Sequence, residues 1–241
     1  MITESYVPSA NPGKLPPVVL LPGLGLSSWY LKRLAAALAR TTGVWTISTG
    51  SGRDAAGTVA QIALTVCEWL KMRNRGPVIL LGHSFGAQIC AAVAVRAPGL
   101  VRGIVLVSPT VDAAARSFGG QAWRFICDVP LESPGLVCYA ALRFVTHPLR
   151  LVREARAALK FPLETALPAI GVRALVIRGE RDRVVSSEWA GVVTGLLPRA
   201  RLVTIPGEAH GIVYTAPEEV AAAVRHFAEG GECDPGKKSP E

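Results

Sequence analysis

Long hydrophobic runs are missing from this chain of 241 residues. No stretch approaches the roughly 18 uninterrupted apolar residues that indicate a membrane-spanning helix. The amino terminus, MITESYVP, has neither the basic start nor the apolar centre of an export signal. We therefore expect no membrane span and a cytoplasmic location.

Cysteine and histidine are scarce, and they are not spaced as metal ligands. The 5 cysteines are an odd number at irregular spacing, and with the 4 histidines they form no metal-binding pattern. Cys67 and Cys90 lie within apolar helical patterns. These features indicate reduced thiols rather than a disulfide framework. We expect no bound metal.

Nucleotide-binding loops are absent or incomplete. The sequence contains no Walker-type phosphate loop. Gly23 and Gly25 follow an apolar run, as in a dinucleotide fingerprint, but Ser28 stands where the third glycine belongs. No acidic residue ends the next predicted strand, 44–48, where a ribose partner would be needed. We therefore predict no cofactor.

The charge is basic but dispersed. Lysine and arginine number 26 against 18 acidic residues, a formal net charge of +8, and no basic block or nucleic-acid-binding module is visible. Nucleic-acid binding is therefore not expected. The nearest approach to a cluster is Arg150, Arg153, Arg156 and Lys160, which share one face at helical spacing. We interpret it as a solvated helix face, with an anionic substrate or an acidic carrier protein as the alternative.

One motif points to chemistry. Gly82-His83-Ser84-Phe85-Gly86 lies between the apolar run 77–81, typical of a buried strand, and the apolar stretch 87–95, typical of a buried helix. A serine between two glycines at a strand-to-helix corner is exposed at the carboxyl end of the sheet, where it can act as a nucleophile. The alternative is a glycine-rich turn whose serine caps the helix.

Around this motif the chain resembles the alpha/beta hydrolase family. That family places an acid and then a histidine after the serine, each beyond a strand. Here Asp182 follows the predicted strand 174–178, and His210 follows the predicted strand 202–205. The resemblance covers about residues 17 to 228. It implies a catalytic triad of Ser84, Asp182 and His210.

The resemblance also implies a role for each residue. His210 would take the proton of the serine hydroxyl, and Asp182 would hold the imidazole in the productive tautomer. The backbone amides of Leu24 and Phe85 would form the oxyanion hole. Many family members have His-Gly before this loop, whereas this chain has Pro22-Gly23. The support of the loop is therefore in question more than the reaction.

The chain contains other acids and histidines that could take these roles. Asp182 lies between two arginines, as surface aspartates often do, and Glu180 and Glu208 are the nearest substitutes for the acid. We expect His83 to pack or hydrogen-bond beneath the corner. His147 is interpreted as a solvated turn residue and His226 as structural.

Alternating strand and helix patterns predict an α/β fold with a doubly wound, mostly parallel sheet and a small helical cap. Because little precedes the first clear strand, we expect a minimal sheet of about six strands. The expected divisions are an extended arm at 1–16, a core at 17–109 and 169–229, the cap at 110–168 and a disordered tail at 230–241.

The cap segment is rich in aromatic and aliphatic residues. Most of these side chains should form the core of the cap itself, but some should line an apolar substrate pocket. The candidates are Trp123, Phe125, Leu136 and Tyr139. Trp123 and Phe125 are two positions apart on a predicted helix and cannot both face the nucleophile.

These features predict a serine hydrolase that cleaves a carboxylic ester or lactone through an acyl-enzyme. Its substrate would be a small molecule with an apolar acyl or alcohol part. A thioesterase that releases acyl groups from a carrier and a carbon–carbon bond hydrolase remain alternatives on the same scaffold. So does a receptor-like binding module with little activity. The oligomeric state is left open.

Overall fold

The computed structural model describes residues 2–11, 15–49, 57–73 and 77–230. The strands in these ranges are β1 (Ile2–Val7), β2 (Val18–Leu21), β3 (Val44–Thr49), β4 (Val78–His83), β5 (Val101–Val107), β6 (Arg173–Gly179) and β7 (Ala200–Ile205). Across the described residues they form one seven-stranded sheet in the order β1-β3-β2-β4-β5-β6-β7. All neighbouring pairs are parallel except β1 and β3. The predicted fold class is confirmed. The predicted tail lies outside the described residues except for Gly230.

The expectation of six strands is wrong, because the amino-terminal segment adds a seventh strand to the described sheet. β1 pairs antiparallel with β3, with Ile2 opposite Thr49 and Val7 opposite Val44. The ring of Tyr6 packs on Trp45 at a centroid distance of 4.4 Å. An edge strand has only one neighbouring strand, and the residues of β1 are half-buried or exposed, with none fully buried. It therefore lacks the continuous apolar run that marks the central strands.

The helices cover both faces of the sheet. Their bounds are α1 (Lys32–Leu38), α2 (Val59–Arg73), α3 (Phe85–Arg96), α4 (Phe118–Asp128), α5 (Pro134–Thr146), α6 (Pro148–Lys160), α7 (Leu163–Ala166), α8 (Ser187–Leu196), α9 (Ile212–Thr215) and α10 (Pro217–Ala228). One hydrophobic cluster joins the sheet to α2, α3 and α8, and a second joins it to α1, α9 and α10. None of the helices in the described part of the chain has the length and apolar character needed to cross a bilayer.

The central strand β4 shows why the sequence forms a sheet that is covered by helices on both faces. Val78 and Leu80 pack into the first cluster, whereas Ile79 and Leu81 pack into the second. Successive side chains of a strand point to opposite faces, so a strand covered on both sides must be apolar throughout. Buried parallel strands then bring their carboxyl ends to one edge of the sheet, and this edge carries the candidate site.

Helices α4 to α7 lie between β5 and β6, in the segment predicted to form a cap, and we refer to these four helices, with the segments that join them, as the cap. Much of their apolar surface is exposed to solvent, including 66% of Trp123 and 79% of Val145. The cap buries fewer of its residues than the sheet and its flanking helices do.

The cysteines in the described residues are free thiols. Cys67 and Cys90 are buried, as their apolar context predicted, and burial raises the pKa of both. Cys233 lies outside the described residues.

Candidate active site

Ser84 occupies a tight corner between β4 and α3. Its backbone has φ 55° and ψ −116°, a conformation that non-glycine residues rarely adopt. A Cβ on Gly82 would collide with the carbonyl of Gly86, and a Cβ on Gly86 would collide with the carbonyl of Leu21. The two glycines of the motif are therefore sterically required for this turn. The turn presents Ser84 at the carboxyl edge of the sheet.

Ser84, His210 and Asp182 are far apart in the sequence, but His210 lies within hydrogen-bond distance of both Ser84 and Asp182. The Ser84 hydroxyl is 3.1 Å from Nε2 of His210. Nδ1 of His210 is 3.1 Å and 3.2 Å from the two carboxylate oxygens of Asp182. The alternative acids are bound elsewhere, since Glu180 accepts from the Gly207 amide and Glu208 accepts from the Thr215 hydroxyl.

Asp182 is buried despite its arginine neighbours in sequence. One of its carboxylate oxygens accepts hydrogen bonds of 2.9 Å from the amides of Val184 and Val185. Burial alone would raise the pKa of Asp182. The charge of His210, the hydrogen bond to it and the Val185 amide together lower that pKa below its usual value. The carboxyl is therefore ionised at neutral pH.

The pKa of His210 is set by opposing effects. Burial favours the neutral imidazole and lowers the pKa. The charge of Asp182 and its hydrogen bond raise the pKa, and the nearby carboxyls of Asp128 and Glu132 add to this effect. The net shift is upward from the usual value. The surroundings of His210 thus stabilise its protonated form.

His83 lies beneath the corner and joins two loops. Its Nε2 is 2.9 Å from the carbonyl of His210, so this nitrogen carries the hydrogen. Its Nδ1 is 3.0 Å from the hydroxyl of Tyr30, which donates to it. Burial and the proximity of His210 lower the pKa of His83 to about 3. His83 is therefore a neutral structural link, in keeping with the position expected for it.

The loop after β2 is supported by residues that the sequence analysis did not identify. The amide of Gly23 donates to the Tyr30 hydroxyl, and the amide of Gly25 donates to the Glu154 carboxylate, each over 2.6 Å. These two bonds flank Leu24. They supply the support that the unusual Pro22-Gly23 sequence left in question. Glu154 is distant in sequence, and only its position among the apolar residues of an amphipathic helix could have drawn attention to it.

Two further acids of the cap lie beside His210 and were also missed. Asp128, the last residue of α4, accepts from the amide of Arg183 over 2.9 Å. Glu132 accepts from the amide of Gly211. Within the described ranges, no group of three or more acidic, histidine or cysteine residues is arranged to hold a metal ion.

A largely apolar cavity of about 460 Å³ lies between the candidate triad and the cap. Its walls include Leu24, Val111, Ile126, Val137, Phe144 and Leu151. Two of the predicted pocket residues, Phe125 and Leu136, also line it. The ring of Phe125 meets that of His210 edge-on, with centroids 5.4 Å apart and an interplanar angle of 88°.

The prediction that Trp123 and Tyr139 line the pocket is wrong for the cavity that the described residues enclose. Trp123 lies on the outer face of α4 because positions two apart on a helix point in nearly opposite directions. Tyr139 packs on Trp29 at 4.5 Å, and its hydroxyl is 2.5 Å from that of Ser27. It therefore links the cap to the segment after β2.

Comparison with known proteins adds three findings. The sequence profile described as "Alpha/beta hydrolase family" matches residues 18–223. Polyketide synthase ThaQ of Burkholderia thailandensis is 27% identical over 252 aligned positions, which cover 90% of this chain but 12% of that protein's length. A pimeloyl-[acyl-carrier protein] methyl ester esterase of Stenotrophomonas maltophilia is 38% identical over 76 positions, 29% of each chain.

The fold also has solved counterparts. A hydrolase from Oleispira antarctica superposes with a TM-score of 0.79 at 18% identity, covering 94% of each chain. At this level of identity the likeness concerns the fold alone.

Proposed function

Because this chain belongs to the alpha/beta hydrolase family, we propose that it is a serine hydrolase that cleaves a carboxylic ester or lactone through an acyl-enzyme on Ser84. The observation that best supports this proposal is the continuous contact from the Ser84 hydroxyl through His210 to Asp182. Because this geometry recurs on unrelated folds that carry out acyl transfer, with a different order of the three residues in each, the arrangement itself favours that chemistry.

In the first half of the reaction, the Ser84 oxygen attacks the acyl carbon while its proton moves to Nε2 of His210. The carbonyl π electrons move to the oxygen and form a tetrahedral oxyanion. The imidazolium then gives its proton to the leaving alcohol oxygen as the carbon–oxygen bond breaks. In the second half, a water molecule repeats these steps. It releases the carboxylic acid and restores Ser84.

Asp182 and the backbone amides would assist the reaction without forming or breaking covalent bonds. The ionised Asp182 holds the hydrogen on Nδ1 of His210, which leaves Nε2 free to accept the serine proton. The amides of Leu24 and Phe85 would donate to the oxyanion. Donors arranged in advance are worth about 3 to 4 kcal/mol each in the barrier. The hydrogen bonds on either side of Leu24 favour such an arrangement.

The cavity favours an apolar acyl or alcohol group. Its volume of about 460 Å³ falls in the range of small-molecule sites, and its walls are mostly aliphatic and aromatic. Removing such a group from water favours binding by about 25 cal/mol for each Å² buried.

A second candidate is hydrolysis of a thioester held on a carrier protein. The long match to a polyketide synthase favours it, as does a cleft of about 290 Å³ between α6 and the start of α2. Arg153, Arg156 and Lys160 line this cleft, on the side of α6 opposite the residues that line the apolar cavity. Such a cluster of basic residues would attract an acidic carrier.

Turnover of matched substrates tests both candidates. An oxoester, a lactone and a thioester with the same acyl chain separate the bond types, and mass spectrometry of quenched protein should find the acyl group on the Ser84 peptide. Ser84→Ala should abolish both turnover and labelling by a fluorophosphonate. Near-normal turnover in this variant would overturn the proposal.

The carrier candidate has its own matched comparison. The double variant Arg156→Ala/Lys160→Ala should slow hydrolysis of a carrier-bound acyl thioester but not of the same acyl group on a small thiol. Equal rates on the carrier-bound substrate in the variant and the wild type would count against docking at this cleft.

A further inference from the structure

Asp128 and Glu132 of the cap bind the segments that follow two residues of the candidate triad. Asp128 accepts from the amide of Arg183, the residue after Asp182. Glu132 accepts from the amide of Gly211, the residue after His210. A Cβ at position 211 would collide with the Glu132 carboxyl, so glycine at this position permits the close approach.

The core itself joins the two loops on their other side. The amide of Arg181 donates to the carbonyl of Glu208, and the amide of Gly207 donates to the Glu180 carboxylate, each over 2.8 Å. These bonds precede Asp182 and His210 in sequence, whereas the contacts with the cap follow them. Asp182 and His210 are thus each flanked by a core contact and a cap contact.

The side chains of the two cap acids also lie close enough to each other for a hydrogen bond. Two carboxyl groups can form such a bond only when one of them carries a proton, because two carboxylates have no hydrogen to donate. Asp128 is 2% exposed, and one oxygen of Glu132 is buried and has no hydrogen-bond partner, which a proton between the two carboxyl groups would supply. Burial is the largest of the effects that raise the pKa of Glu132 to about 7, followed by the Asp128 contact.

The next step rests on the proposed function. We propose that Asp128 and Glu132 are positioning residues that share one proton and through it hold Asp182 and His210 in their positions relative to each other. The shared proton closes a chain of bonds from the Arg183 amide through both carboxyls to the Gly211 amide. Neither acid needs to touch the reacting atoms. Their effect on the rate comes from keeping the imidazole between Asp182 and Ser84.

This arrangement makes the link dependent on pH. Loss of the shared proton leaves two adjacent carboxylates that repel each other, so the link weakens as pH rises through neutrality. The ionisable group that acts on Glu132 besides Asp128 is His210, which itself faces Asp182 and His83. Arg124, one turn before Asp128 on α4, is paired with Asp112.

Three substitutions distinguish the effect of losing the hydrogen bonds of this pair from the effect of losing its titratable proton. Glu132→Gln and Asp128→Asn each keep an acceptor for the backbone amide and supply an N–H to the remaining carboxylate, so both preserve the link at every pH. Glu132→Leu has a similar volume but breaks both contacts. Glu164→Gln, which makes the same chemical change in the Arg116 ion pair at the base of the cap, is the control.

We expect Glu132→Leu to lower kcat by about tenfold to a hundredfold, as displacement of a reacting group does, with a smaller effect on KM. The two amide variants and Glu164→Gln should keep near wild-type kcat below neutrality. Only the amide variants at 128 and 132 should lose the decline of kcat above neutrality. A folded Glu132→Leu enzyme with wild-type kcat would overturn the proposal, as would an alkaline decline retained in both amide variants.

A titration of the Glu132 carboxyl by ¹³C NMR tests, without measuring turnover, whether Asp128 and Glu132 share a proton. The inflection should lie near pH 7 in the wild type and fall in Asp128→Asn. An unshifted inflection in that variant would overturn the shared proton. A wild type inactive on every ester would instead overturn the proposed function, and this titration would still decide whether the proton is shared.

Discussion

The Glu154 carboxylate, on α6 of the cap, accepts a hydrogen bond of 2.6 Å from the amide of Gly25, in the loop after β2. The side chain of Glu154 is 6% exposed and also pairs with Arg150 over 2.8 Å. Arg143 of α5 donates to the carbonyl of Gly25 over 3.3 Å. Both polar groups of the Gly25 backbone are therefore held by the cap, which links the cap to the loop that carries Leu24.

Replacing Glu154 should impair catalysis through this loop. Glu154→Ala leaves the Gly25 amide without its acceptor, so Leu24 should shift and kcat should fall by about tenfold to a hundredfold, with KM less affected. Glu154→Gln keeps an acceptor oxygen and should retain most of the rate. Steady-state kinetics on one ester would compare the two variants. An equal loss in both would assign the effect to the Arg150 pair instead.

The pKa of His210 lies above the usual 6.5 of histidine, and the rate should fall when the pH drops below this raised pKa. His210 must be neutral to take the serine proton, and its pKa is raised, so activity is lost as pH drops through that raised value. Asp182→Asn removes the main charge that raises this pKa and should move the inflection to lower pH. It should also lower the maximal rate by about 10⁴-fold. An inflection that Asp182→Asn leaves in place would contradict this assignment.

Phe125 and Trp123 should differ in their effect on substrate preference. Phe125 lines the cavity, so Phe125→Ala should change the ratio of kcat/KM for short and long acyl chains by about 1 to 3 kcal/mol. Trp123→Ala, on the exposed face of the same helix, is the matched control and should leave the ratio unchanged. A series of esters of increasing chain length measures both. Equal shifts in the two variants would contradict the orientation of α4.

Tyr30→Phe should lower the free energy of unfolding by about 1 to 3 kcal/mol, because it leaves the buried Gly23 amide without an acceptor. Urea denaturation monitored by tryptophan fluorescence would measure the loss. Tyr6→Phe removes the same hydroxyl from a side chain that is 46% exposed and should have little effect. Similar losses in the two variants would argue against a special role for the Tyr30 hydroxyl.

The arrangement around Ser84 could be predicted because its determinants are local. A strand, a five-residue corner with two glycines and a helix are consecutive in the sequence, and the collisions that exclude larger residues involve only this corner and the end of β2. Asp182 and His210 could be predicted from the resemblance to the family, which places an acid and a histidine after later strands. Parallel strands bring their carboxyl ends to the same edge whatever the length of the connections.

The supporting residues could not be found in this way. Gly25 and Glu154 are 129 positions apart, and Gly211 and Glu132 are 79 positions apart. No periodicity or motif relates such pairs. Their contacts depend on how the cap helices are rotated and seated on the sheet. The same rotation explains why Phe125 lines the cavity and Trp123 does not.

The sequence alone indicated the central strands, the helices that flank them and the corner at Ser84, because these depend on local sterics and on hydrophobic periodicity. The acid and the histidine after later strands were implied by the resemblance to the family. Tertiary structure decided which cap residues reach the cavity, which carboxyls lie beside His210 and how the loop at Leu24 is held. These are contacts between elements distant in the chain. They are set by the packing of whole helices, and the pattern within one segment does not encode that packing.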